Sequence, residues 1–225
     1  MFVSAAVFWI AFVYFCVAEI LAKSLRNHLD GQFKRADSDD EDLVEWEPVE
    51  AAEWASSNNY VWVGSFSFMA PNCPTMTVLA WSDLDSGSYL VVYCTPSGLV
   101  HEFRTAFEGG VSVRTSQSKD GSMFPGEFGL FWQSFPGDDV EALFRRHIEA
   151  AGFVERSLLI RITRPETTFR QMKLADARRQ IAYIHSRPMW KYRLPWWYFT
   201  RSRRCNRTIM VQFPKLGATR RVPSM

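Results

Sequence analysis

The chain has 225 residues, 47% of them hydrophobic and 15% aromatic, with a formal net charge of +2. This composition excludes a wholly disordered or low-complexity protein, and the length allows one ordinary core once the N-terminal segments are set aside. Its four cysteines, Cys16, Cys73, Cys94 and Cys205, form no C-x-x-C pair and have no clustered histidine partners. That excludes a zinc ribbon or disulfide framework, and neither a metal nor a cofactor is expected.

Residues 1–22 carry one side-chain charge, Glu19, in an otherwise apolar run. A helix of roughly 20 such residues crosses a ~30 Å hydrocarbon core, so the segment reads as an uncleaved transmembrane helix whose partner is membrane lipid. A secretory signal fits less well. No Lys or Arg precedes the run, and Ile20 stands where a small residue is wanted before a cut at Ala22. Lys23, Arg26, Lys34 and Arg35 all follow the span, which predicts a single-pass protein with its N-terminus outside and its main domain cytoplasmic. Glu19 lies about a turn from the interface and reads as a snorkelling end-of-helix residue.

Residues 23–58 read as a basic juxtamembrane segment and an acidic tether. Residues 1–160 hold 10 Lys/Arg against 22 Asp/Glu, whereas residues 161–225 hold 16 against 2. Asymmetry of this kind points to a charged partner. No cation interrupts the acidic run from Asp37 to Glu53, so self-repulsion keeps it extended. Trp46 and Trp54 are unusual in a linker and suggest that its end docks on the domain.

The globular domain is assigned to residues 59–186. Aromatic and β-branched runs predict strands at Tyr60–Met69, Thr75–Trp81, Ser88–Cys94, Leu99–Phe107, Val111–Thr115 and Phe128–Gln133. Short turns such as Pro96-Ser97-Gly98 join antiparallel neighbours, while the loop Ser116–Glu127 is longer. Asp138 with Glu141 is placed as a capping box for a first helix that Gly152 would end. Its buried face is predicted from Val140, Leu143, Phe144, His147, Ile148 and Ala151. A strand at Leu158–Ile162 follows. Thr163 and Glu166 then cap a second helix that ends before Pro188, with an apolar stripe of Leu174, Ala177, Ile181 and Ile184. Its other face carries Arg170, Lys173, Arg178 and Arg179. The fold class is therefore α+β, an antiparallel β-meander of five to seven strands with two α-helices behind one N-terminal transmembrane helix.

Catalytic signals are weak. His101-Glu102 lacks the second histidine of a metalloprotease helix and lies on a strand, where adjacent side chains point to opposite faces. His147 reads as a hydrogen-bonded core histidine, and Cys94 as an inert core thiol. No Walker A loop, dinucleotide fingerprint or nucleophile elbow is present.

The segment 187–225 holds the strongest interaction signal. Trp190, Lys191, Arg193, Trp196, Trp197, Arg201, Arg203 and Arg204 interleave rings with cations. Such a block suits an anionic leaflet, where aromatic rings sit at headgroup level and each cation is worth about 1 kcal/mol. It also suits packing on the domain, and less well single-stranded nucleic acid. The chain thus reads as a membrane-anchored, non-enzymatic binding or scaffold domain on the cytoplasmic face, with no protein partner indicated. The alternatives are a membrane-bound enzyme using His101, Cys94 or His147, or a nucleic-acid-binding module.

Overall fold

The aromatic and β-branched runs assemble, in a computed structural model, into one seven-stranded sheet ordered β1 to β7 along the chain. The structure describes residues 2–27, 33–35, 48–68, 76–83, 85–163 and 169–217. The acidic run Asp37–Glu47, Cys73 and Glu166 lie outside the described residues. The strands are β1 (Phe33–Arg35), β2 (Val61–Phe68), β3 (Met76–Asp83), β4 (Ser88–Thr95), β5 (Gly98–Phe107), β6 (Val111–Ser116) and β7 (Leu130–Ser134). Neighbours from β1 to β6 are antiparallel, but β6 and β7 run parallel. The meander therefore stops at β6. The long loop after β6 is the reason, since it can carry the chain back along the sheet before β7 begins.

Alternation along the strands divides the sheet into two faces. One presents Trp81, Leu90, Val92, Phe103, Val113 and Phe131 to α2 (Val49–Ser57), α3 (Val140–Leu158) and α6 (Ile209–Gly217). Trp54 ties α2 to this core. Its ring lies 5.4, 5.2 and 5.0 Å from those of Tyr60, Phe103 and Phe144, and its Nε1 donates to Glu141 at 2.9 Å.

The opposite face carries Val78, Ala80, Tyr89 and Val91 under α4 (Phe169–His185). Beyond α4, α5 (Trp190–Phe199) packs with the C-terminal half of α1 (Phe2–Asn27). Helices thus cover both faces, and among the described residues there are six of them rather than an anchor and two.

Several boundaries differ from expectation. The N-cap of α3 is Asp139, whose Oδ1 accepts from Ala142 N at 2.7 Å, rather than Asp138. The helix continues through Gly152 to Leu158, where Leu159 takes the left-handed conformation at φ 54°. Packing against the sheet outweighs the glycine signal, and Ala150 and Val154 join the buried face while Ile148 is exposed. The expected strand Leu158–Ile162 shrinks to the bridge Phe107↔Ile162. Gly87 accommodates this crossing, since a Cβ there would lie 3.0 Å from Ile162 Cγ2.

Among the described residues no helix is long and apolar enough to cross a membrane. The C-terminal half of α1 is instead engaged with the domain. Ala18 and Ala22 are buried, Tyr14 donates to the Tyr192 carbonyl, and Ala22 joins Ile181, Ile184, Leu194 and Trp197 in one cluster.

Candidate functional site

Two facing arginines form the floor of the site. Register sets Arg104 of β5 opposite Arg114 of β6, and Arg114 opposite Trp132 of β7. Like charges directly opposite across a strand pair repel, so each arginine needs an acid. Glu102, two residues from Arg104 on the same face of β5, accepts from Arg114 Nε at 3.1 Å and Nη2 at 2.5 Å. Arg104 pairs with Asp176 of α4. Lys173, three residues earlier on α4, lies 2.8 Å from Glu102 and also donates to the Tyr93 hydroxyl. That hydroxyl donates to Glu102 at 3.2 Å.

These groups line a cavity of about 510 Å³ between the sheet and α4. The returning loop walls one side with Ser118, Asp120, Gly121, Met123 and Phe124, while Leu21 of α1 and Leu194 of α5 also line it. Met76, Val78, Val100, Leu174 and Ile181 supply apolar surface. The polar groups are therefore gathered on the floor and roof of an otherwise greasy chamber.

Burial makes this charge cluster expensive unless it is paired. Arg104 is 1% exposed and Glu102 2%. Burial alone would raise the Glu102 carboxyl, but the Arg114 and Lys173 charges and hydrogen bonds outweigh it and hold the group well below the usual carboxylate range. Burial, reinforced by Arg114 and Arg104 and opposed by Glu102, pushes the Lys173 amine down to about 7. Burial and then Glu102 push the Tyr93 hydroxyl up. Asp120 on the cavity wall is neutralised by Arg201. With Lys173 protonated, Arg104, Arg114 and Lys173 then face Glu102 and Asp176, leaving one net positive charge. Three donor atoms of this floor have no hydrogen-bond partner among the described residues, namely Arg104 Nε, Arg104 Nη1 and Trp132 Nε1.

The sequence candidates His101, His147 and Cys94 lie elsewhere. His101 points away from Glu102, and its Nδ1 meets Gln117 Oε1 at 2.8 Å. His147 sits between the hydroxyls of Thr105 and Thr115, at 2.9 and 3.0 Å, and burial pushes it down to about 3. It is a neutral core histidine. Cys94 is half-buried on the same sheet face as His101, and burial raises its thiol. Among the described residues no hydrogen bond joins any two of these three, and no three His, Cys, Asp or Glu groups gather to hold a metal.

The aromatic basic block is divided by its helix. Trp197 and Leu194 are buried on the domain, whereas Trp196, Arg193 and Arg203 are exposed. Trp190 and Lys191 are half-buried. Arg201 pairs with Asp120 at 2.8 Å, and Arg204 donates to the carbonyls of Met123 and Trp197 at 2.5 Å.

The cavity residues Lys173, Arg104, Arg114 and Asp176 escaped the sequence reading. Helical spacing puts Lys173 on the face opposite the apolar stripe, but it is buried against Glu102. The available signal was the polar alternation of Glu102-x-Arg104 and Arg114-x-Ser116, which resembles a solvated strand face until a helix covers it. No family model matches the sequence, and comparison with curated proteins and with solved structures finds no match.

Proposed function

We propose that the chain is a membrane-anchored, non-enzymatic binding domain on the cytoplasmic face, with residues 1–22 as the anchor and α5 against the inner leaflet. One observation carries this reading: the apolar surface shared by α1 and α5. Trp9, Phe12, Phe15 and Ile20 are exposed on α1, and Tyr192, Trp196 and Phe199 on α5. The rings of Phe15 and Tyr192 lie 6.4 Å apart, so the two sets meet. Exposed apolar surface of this extent marks a site for a membrane or a partner. Its aromatic character suits the headgroup region, and the exposed cations Lys23, Arg193 and Arg203 suit anionic lipid. The cation-rich flank after residue 22 supports the inward orientation.

Among the described residues, His101, Cys94 and His147 do not converge on one another, since His101 bonds Gln117 and His147 bonds Thr105 and Thr115. Nucleic-acid binding has little support from a block whose Trp197 is buried and whose Arg201 and Arg204 are tied to the protein. Flotation of the full chain with vesicles tests the proposal. Binding to anionic vesicles should exceed binding to neutral ones, weaken with salt, and weaken further in Trp196→Ala/Phe199→Ala. Protein in native membranes should resist alkaline carbonate. Release by carbonate together with absence of flotation would refute membrane anchoring, and glycosylation at the exposed Asn206 in a eukaryotic host would reverse the orientation.

A further inference from the structure

We infer that the cavity binds a long-chain carboxylate, with its head at Arg104 and Trp132 and its tail toward Leu21 and Leu194. The head is chosen by the unpartnered floor. Arg104 and Trp132 offer donor atoms buried without an acceptor among the described residues, and leaving such groups unpaired is costly, more so when they are charged. An acceptor that also carries charge relieves both problems. The ionised cluster has one net positive charge, which a monoanion neutralises. A dianionic phosphate would overshoot and crowd Glu102 and Asp176, while an uncharged head would leave the excess charge in place.

The tail is chosen by the walls. Met76, Val100, Phe124, Leu174, Leu21 and Leu194 give an apolar lining, and about 510 Å³ falls within the ~300–1,000 Å³ of small-molecule sites. Leu21 and Leu194 belong to α1 and α5, the two helices whose outer surfaces are proposed to meet lipid. The assignment deepens that reading, because an amphiphile dissolved in the bilayer would meet the cavity at this wall.

The test is carbon NMR of palmitate labelled at its carboxyl carbon, added to the full chain in nonionic detergent without a bilayer. A protein-specific carboxylate resonance is expected. It should keep its shift from about pH 5 to 9 while the micellar pool titrates, because paired arginine charge holds the head ionised. Labelled acetate should give no such resonance, and hexadecanol should displace palmitate at least tenfold less effectively than unlabelled palmitate does. Arg104→Gln should abolish the signal. Val100→Trp changes no charge and fills the cavity from a half-buried wall position, so it should abolish the signal while leaving the fluorescence melt cooperative. Absence of a protein-specific resonance in the unmodified chain would overturn the inference. So would an equal acetate resonance, or a palmitate resonance that survives both substitutions. Palmitate binding without vesicle flotation would leave the cavity assignment standing and remove the membrane one; flotation without the resonance would do the reverse.

Discussion

Glu102→Gln tests whether the buried charge cluster is held by its one fully shared carboxylate. The side chain keeps its shape but loses the charge that binds Arg114 through two nitrogens and Lys173 through one. With Asp120 tied to Arg201, the cluster then holds Arg104, Arg114 and Lys173 against Asp176 alone, so Lys173 can keep its proton only by adding uncompensated positive charge. Breaking a buried pair by removing one partner costs about 3–5 kcal/mol. Domain stability is typically about 5–15 kcal/mol, so this is a large fraction of the whole. At roughly 2–4 °C per kcal/mol for a chain of this size, the midpoint should fall by roughly 6–20 °C. Thermal melts of the full chain in detergent, followed by tryptophan fluorescence, measure it directly. Trp132 is a useful reporter, because the Arg114 guanidinium stacks 4.4 Å above its ring. Adding Lys173→Met removes the excess cation, so the double variant should melt higher than the two single losses add up to. A midpoint within about 2 °C of the unmodified chain would refute the reasoning, since it would mean that Arg114 and Lys173 do not depend on Glu102.

His147 is neutral in the fold and pushed down to about 3, against about 6.5 unfolded, so the unfolded chain binds more protons between these values. Stability should therefore be full above pH 6.5 and fall with pH, by roughly 3 kcal/mol at pH 4, with His147→Gln showing the shallower slope in urea titrations. Lys173 acts in the same direction, in a higher pH window. Its folded value near 7 lies below its unfolded one, so its contribution should rise from pH 7 toward 10, and Lys173→Met should remove that rise from the stability profile. Leu159→Gly should raise the melting point, because a left-handed leucine that is 91% exposed loses nothing by packing and about 1 kcal/mol of backbone strain is relieved. Trp54→Ala should cost about 3 kcal/mol by chemical denaturation, as expected for a large aromatic removed from a packed cluster; a cost under about 0.5 kcal/mol would show that α2 does not contribute to the core.

What the sequence determined by itself is local. Runs of Val, Tyr, Phe and Thr at period two specify β2 to β7 within a residue or two, and short turns with glycine specify which neighbours pair antiparallel. The amphipathic spacing after Asp139 specifies a helix, and the neutral, hydrogen-bonded role of His147 follows from its place on the buried stripe. The tertiary structure decided everything that joins distant positions. Glu102 and Lys173 are 71 residues apart, and only α4 lying across that sheet face turns their polar surface into the lining of a chamber. The parallel turn into β7, the docking of α1 on α5 and the burial of Trp197 beside the exposed Trp196 likewise depend on which surfaces meet. Periodicity reports that a face differs from its opposite; whether that face ends in water, lipid or protein is set by what packs over it.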